Sequence, residues 1–420
     1  MTKPGLHRIW QTLREPNFSR YILGNGISLI GTWMQRIAVG WLTWELTHSP
    51  AWLGIIAMAD FFPVVLMGPL GGALADRVDR VRIMISAQMF ATVAALVLFG
   101  LALSGEINEW YLVAITFCTG AAVGLNQASR MALAPSLVPR DQLPTAIAIN
   151  SMIFNLARFI GPIASAAVIK IWGIEASFAF NALSYLALII ALLSLKWPAR
   201  VDSPMPRPRQ PLWLDIREGI TFTLRHPAIR LIMIIMTTSS FCLRPIVDLL
   251  PGLASDVFLQ GVDGYATMIA MLGAGALVGG FWMAQRGKLE DLPRIALIGT
   301  LCVILANAAL ISSGSFTTAL VCIFITGFGM VVSGIGVQST LQFVVASHMR
   351  GRVLSLYGII HIGGAGVGAF VLGLIAEITG LQWPIAGGAA IGLIVWLFIW
   401  ARKGPILSAL SAASEKAPAS

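Results

Sequence analysis

Polar residues in this chain punctuate long apolar runs instead of alternating with apolar ones. Between charged clusters and Pro/Gly breaks, twelve such runs lie near residues 18–44, 51–75, 82–104, 110–133, 143–170, 174–196, 229–251, 264–285, 292–313, 316–342, 351–377 and 382–402. A helix needs about 20 apolar residues to cross about 30 Å of hydrocarbon. The pattern therefore predicts an all-α polytopic membrane protein. An eleven-span count is the rival, and it applies if 316–342 is re-entrant.

Composition agrees. Of 420 residues, 57% are hydrophobic and only 11% charged, against about 25% charged in a soluble domain. A cytosolic enzyme and a disordered chain are excluded. The net charge of +9 does not mark a nucleic-acid binder, because the bases follow the spans. With both termini cytoplasmic, about 24 of the 28 Lys/Arg fall in the termini or inner loops, as the positive-inside rule requires. The exceptions are Lys170 outside and Arg36, Arg158 and Arg244 within spans. Trp41, Trp44, Trp52, Trp110, Trp172 and Trp383 mark the outer ends, and Trp10, Trp197, Trp213, Trp282 and Trp400 the inner ends. Two aromatic belts result. The first span is too long for a cleavable signal peptide and follows a basic segment. Cys118, Cys242, Cys302 and Cys322 all fall inside predicted spans and read as small packing residues.

The Pro/Arg-rich stretch 197–213 divides the chain near its middle. The expected organisation is an N-terminal six-helix bundle at 1–196, a cytoplasmic linker with an amphipathic helix at 197–228, a C-terminal six-helix bundle at 229–403 and a cytoplasmic tail at 404–420. The halves echo each other. Leu13-Arg14-Glu15-Pro16 corresponds to Leu224-Arg225-His226-Pro227, and Gly71-Gly72 to Gly279-Gly280. Span one carries Asn25, Ser28, Thr32 and Arg36, and span seven carries Thr237, Ser240, Arg244 and Asp248 at the same spacings. At 100° per residue each set occupies one narrow face, and two equivalent stripes predict a shared polar cavity. Asn126, Gln127, Gln338 and Gln342 in spans four and ten are further candidates for its lining, or for interhelical hydrogen bonds.

Charges at membrane depth are costly and tend to be paired or functional. Arg36 and Asp60 lie about 12 and about 15 Å from the outer ends of spans one and two at 1.5 Å per residue, and are expected to pair, for coupling or for structure. Arg244 and Asp248 stand at i, i+4; Arg244 is the deeper and the candidate to grip an anionic substrate. Arg158 shares a face with Ser151 and Asn155 near Gly161-Pro162, where a structural network is expected. His361 is the sole histidine at membrane depth, suited to proton handling or to packing among glycines. No H-E-x-x-H, paired carboxylates or P-loop occurs, so no catalytic residue, metal or cofactor is expected.

The loop between spans two and three reads Gly72-Ala73-Leu74-Ala75-Asp76-Arg77-Val78-Asp79-Arg80-Val81-Arg82. There Gly72 is expected to let helix ends approach, and the basic cluster to hold the loop at the inner surface. It closely resembles the signature G-x-L-a-D-r-x-(G/D)-R-(R/K)-x-(R/K) of the major facilitator superfamily. Gly31-Thr32-Trp33-Met34-Gln35, Ala134-Pro135-Ser136-Leu137-Val138-Pro139, Asn155 to Pro162 and Arg350-Gly351-Arg352-Val353 resemble its bacterial branch that includes the enterobactin exporter and drug and macrolide efflux proteins. The resemblance implies twelve transmembrane helices in two bundles related by a parallel repeat, in a bacterial inner membrane. It implies a secondary active transporter that expels an amphiphilic or anionic small molecule, a drug or siderophore, by proton-coupled alternating access. Uptake, or transport of a metal chelate, is the alternative on the same fold; a membrane enzyme or signalling protein is the rival class. The implied partners are a small-molecule substrate, protons and the lipid bilayer, with no nucleic acid and a monomeric state. Gly72, Asp76, Arg77, Asp79, Arg80, Arg82 and Arg130 would form the cytoplasmic gate, Asp76 meeting Arg130 and span eleven near 353–355. The second-half copy departs from the pattern at Ala284-Gln285-Arg286-Gly287-Lys288.

Overall fold

The computed structural model describes residues 5–75, 77–195, 212–285 and 291–402, with positions 404, 406 and 408. Asp76, residue 196, residues 197–211 of the expected linker, Arg286-Gly287-Lys288 and most of the tail lie outside the described residues. The described chain is helical. A short α1 (Gly5–Leu13) precedes α2 (Pro16–Thr47), α3 (Pro50–Ala75), α4 (Arg80–Ser104), α5 (Glu109–Ser136), α6 (Leu143–Trp172) and α7 (Ile174–Leu193). Next come the amphipathic α8 (Leu212–Arg225), α9 (Pro227–Thr238) and α10 (Leu250–Gly252). Then follow α11 (Gly261–Ala284), α12 (Leu292–Ile311), α13 (Phe316–Val344), α14 (Ser347–Thr379) and α15 (Gln382–Ala401).

Among the described residues, eleven helical stretches are long and apolar enough to cross a membrane: α3 to α7, residues 227–257, and α11 to α15. The remaining helix of spanning length is α2, whose 32 residues include Arg20, Arg36 and Glu45 among several Asn, Ser and Thr. The predicted tenth span is one continuous helix of 29 residues, so re-entry at 316–342 does not occur.

The chain separates into two compact units, residues 1–47 with 62–207 and residues 48–61 with 208–420. In the first, α2 packs on α6 and α7, and α4 on α5 and α7; Tyr21, Met84, Leu133, Leu188 and Leu192 form a core between them. In the second, α12 packs on α13 and α15, and α11 on α13. Its core runs from Ile229 and Met233 through Ile304, Leu341 and Val353 to Trp396. The third span of each unit thus meets its fourth and sixth, which is the internal repeat seen as packing. Outward faces stay apolar: α4 leaves Met89, Phe90, Val93 and Leu96 exposed, as suits a lipid solvent.

Small residues set the closest approaches, as expected where helices associate without a hydrophobic driving force. A Cβ on Gly71 of α3 would fall on the backbone of α5, against the Leu125 carbonyl and 2.7 Å from that of Gly124. In the second unit Gly275 and Gly279 of α11 meet Phe324 and Phe328 of α13 in the same way. Gly72 differs from the sequence expectation: a Cβ there would meet nothing within 4 Å. The doublet's first glycine makes the contact, because the helix turns by 100° between the two. Gly71→Val should therefore destabilise the protein by about 1–3 kcal/mol or more through overpacking against rigid backbone. Gly72→Ala should leave the thermal midpoint in detergent unchanged; equal midpoints for both variants would refute the assignment.

The second departure is in span seven. After Thr238 the α-helix gives way to a π turn at Ser239–Leu243 and a 3-10 turn at Arg244–Val247. A second π turn follows at Leu253–Val257. Pro245 lacks an N–H and its ring excludes the carbonyl four residues back, that of Phe241. A π turn holds about one residue more than an α turn, so the spacing that aligned Thr237, Ser240, Arg244 and Asp248 on one face no longer does so. The stripe drawn at 100° per residue holds on α2 and fails here.

Candidate functional site

In the first unit the stripe on α2 meets α5, α6 and α7. Asn25, 1% exposed, accepts a hydrogen bond from Arg130 of α5 and donates to Asn150 Oδ1 of α6 at 3.4 Å. Arg130, expected in the gate, and Asn25, expected in the cavity, are thus one network. Ser28 is buried, whereas Thr32 is exposed and donates to the Ser28 carbonyl at 2.7 Å, with Tyr185 Oη 3.5 Å away. Asn126 is buried and its Oδ1 has no hydrogen-bond partner among the described residues; the neighbouring Gln127 is exposed.

Deeper on α2, two cations share one ring. The guanidinium carbons of Arg36 and Arg158 lie 5.3 and 5.5 Å from the Trp33 ring centre, with Phe154 edge-on at 6.2 Å. Each cation–π contact contributes about 0.5–2 kcal/mol, more as water is excluded. The approach is possible because Gly161 lets α6 close on α2: a Cβ there would sit 2.5 Å from Trp33 Cβ and 3.0 Å from the Ile30 carbonyl. Asn181 donates to Gln35 Oε1 at 2.7 Å and Ser165 to the Met34 carbonyl at 3.2 Å, which hold this level of α2 from both sides.

Asp79 of the signature loop has a local role as the N-cap of α4, accepting from the Val81 and Arg82 amides at 2.9 and 3.0 Å. Such a cap contributes about 1 kcal/mol. Arg77 and Arg82 are exposed and Arg80 is half-buried in the first turn of α4.

In the second unit the broken span seven builds the denser site. Arg244, at the junction of the π and 3-10 turns, donates from Nη1 to the His361 carbonyl of α14 at 2.8 Å. Its guanidinium lies 5.3 Å from the centre of the Phe61 ring, and His361 stacks on Tyr357 with ring planes 7° apart. Asp60, next to Phe61, is half-buried, as is Asp248. The irregular backbone is satisfied from neighbouring helices, as it must be at membrane depth. Asn307 donates to the Leu243 carbonyl at 3.2 Å and accepts from Thr326 at 3.1 Å. Gly368 brings α14 against the Phe241 carbonyl that Pro245 frees. Ser240 is buried, Thr237 donates to its own helix at 2.8 Å, and Gln338 and Gln342 are exposed on α13.

The first residues of α3 belong to this unit. Ala57 and Phe61 pack on Ala365 and Ala369 of α14, while Gly54 and Gly373 bring the two backbones together. At the helix end Glu377 of α14 accepts from Ser49 Oγ at 2.6 Å and from the Ala51 amide at 3.2 Å, capping α3 from another helix.

Sequence reasoning missed the aromatic partners Trp33, Phe61 and Tyr357, and Glu377. In an apolar span an aromatic residue reads as core. The available signal was spacing: Trp33 stands three residues before Arg36, Tyr357 four before His361, and Phe61 follows Asp60.

Residues 8–419 match the family described as Transmembrane secretion effector. The chain belongs to this family of major facilitator transporters. Family members are transporters, not enzymes, and this chain is a multi-pass secondary transporter. It is similar to macrolide efflux protein A of Streptococcus pyogenes, 26% identical over 379 residues covering 88% of this chain and 91% of that one. It is likewise similar to the enterobactin exporter EntS of Escherichia coli, 25% identical over 386 residues covering 90% and 89%. Among solved structures, a bacterial homologue of the human lysosomal transporter Spinster superposes with a TM-score of 0.69 at 16% identity, covering 96% of this chain and 99% of that one. A POT family transporter does so with a TM-score of 0.73 at 11% identity, covering 93% and 96%. These likenesses establish the major facilitator fold.

Proposed function

We propose that the protein is a proton-coupled exporter of an amphiphilic, anionic small molecule, embedded in a bacterial inner membrane with both termini cytoplasmic. The observation that carries this reading is Arg244, a cation at membrane depth held on an irregular turn beside Phe61, His361 and Tyr357. Aromatic surface with one fixed cation suits a ligand that is itself part aromatic and part anionic. The two named relatives are efflux proteins, one for macrolides and one for a siderophore, which supports the export direction. Asp60 supplies a titratable group next to Phe61, and Arg36 and Arg158 on Trp33 supply positive charge in the other unit. The cap of Glu377 on α3 and the glycine seam between α3 and α14 form the outer gate, and Asp76 with Arg130 the inner one.

Inverted vesicles test this. An imposed acid-inside gradient should drive accumulation of a catecholate siderophore or an anionic dye, and a protonophore should abolish it. Screening should include a macrolide. Absence of gradient-dependent flux for all three classes would overturn the coupling and the export reading together.

A further inference from the structure

Where α8 meets the start of α9, two cavities flank Arg230 and Ile234. One, of about 410 Å³, lies among α8, α9 and α14 and is walled by Thr223, Met233, Leu356 and Ile360. The other, of about 510 Å³, lies between α9 and α15 and is walled by Leu231, Phe398 and Arg402. Arg230 and Ile234 line both. The walls are mainly apolar; besides Arg230 and Arg402 their polar residues are Thr223, Thr237 and Thr238 in the first cavity. Arg230 reaches the Leu224 carbonyl in the last turn of α8 at 3.5 Å, and Arg402, which lines the second cavity with it, lies over the Phe398 ring at 4.4 Å. In the first cavity Thr223 is 5% exposed, and its hydroxyl has no hydrogen-bond partner among the described residues.

We propose that this end of α9 is a binding site for one anionic phospholipid, with its phosphate on Arg230 and Arg402 and its acyl chains in the two largely apolar cavities. Charge and shape together select that occupant. The two arginines attract a phosphate, which they bind bidentately. Two apolar grooves diverging from one arginine match two chains diverging from one headgroup. Basic pockets between transmembrane helices are the expected place for such lipids. In the proposed orientation the site faces the cytoplasmic leaflet. The bound lipid would tie amphipathic α8 to α9, and through the Glu218–Arg352 ion pair at 2.7 Å to the start of α14. The inference does not rest on the substrate or coupling assigned above.

Native mass spectrometry of the full chain in neutral detergent tests it, with dioleoyl phosphatidylglycerol and dioleoyl phosphatidylcholine added in equal amounts. Two arginines at about fivefold each should give roughly a 25-fold preference for the anionic lipid. Arg230→Gln with Arg402→Gln should erase the preference, and Arg230→Lys with Arg402→Lys should retain most of it. Thermal melting in detergent alone reports whether each variant is folded. Equal binding of the two lipids by the parent chain, or an undiminished preference in a folded Gln double variant, would overturn the site. Displacement of the phosphatidylglycerol by inorganic phosphate would also overturn it, since the site would then recognise a free anion.

Discussion

Arg244→Gln should raise the KM for an anionic substrate by at least about 30-fold, because losing one partner of a desolvated, hydrogen-bonded charge pair costs about 2–5 kcal/mol. Glutamine is the informative replacement. Its amide can still donate to the His361 carbonyl, so the link from the broken span to α14 survives, while the positive charge over Phe61 is removed. Transport of a neutral dye should change little. Arg244→Lys should fall between, since it keeps the charge but loses the planar guanidinium that stacks on a ring. The measurement is concentration-dependent uptake into inverted vesicles for the two substrate classes. If the anionic and neutral compounds lose affinity equally, Arg244 is a structural strut and not the cation that meets the substrate.

Asp60→Asn should abolish gradient-driven efflux while leaving downhill exchange of substrate across the same vesicles. An antiporter needs a group that takes a proton from one side and releases it on the other, and asparagine keeps the size and hydrogen-bonding capacity of the side chain without that chemistry. The position suits such a role. Asp60 precedes the ring that carries Arg244, so a change in its charge would act at the wall of the proposed substrate site. The helix that holds it is also the one that Glu377 caps and that Gly54 lets pack against α14. Protonation can thereby bias a helix that has two environments along its length. Undiminished gradient-driven efflux in the folded variant would move the coupling role elsewhere, with His361 next in line.

Much of the fold was legible in the residues. The helices of α2 to α7 and α11 to α15 begin and end within a few positions of the runs marked by charge, proline and glycine, because in lipid an apolar run has no stable alternative to a helix. The repeat was legible too, since Gly71 and Gly279 occupy equivalent places and make equivalent backbone contacts. The candidate site was only half legible. Its charged members stood out because charge in an apolar run is rare. Its aromatic members did not, because Trp33 and Phe61 differ from ordinary core residues only in what lies over their faces. Glu377 was equally hidden, near the end of a span where a solvated carboxylate is unremarkable.

Sequence alone therefore determined that the chain lives in a membrane, which apolar runs form its long helices and which loop carries the family signature. Each of these follows from transfer free energy, which depends on residue type and run length and not on partners. Tertiary structure decided the rest. It joined Asn25 to Arg130, gathered Arg36 and Arg158 on one tryptophan, and put the contact on Gly71 instead of Gly72. It also broke span seven at the carbonyl that Pro245 frees, where Asn307 and Gly368 of other helices stabilise a turn that no local periodicity contains. A helical period read from sequence assumes 100° per residue, and only neighbours in space can sustain a departure from it.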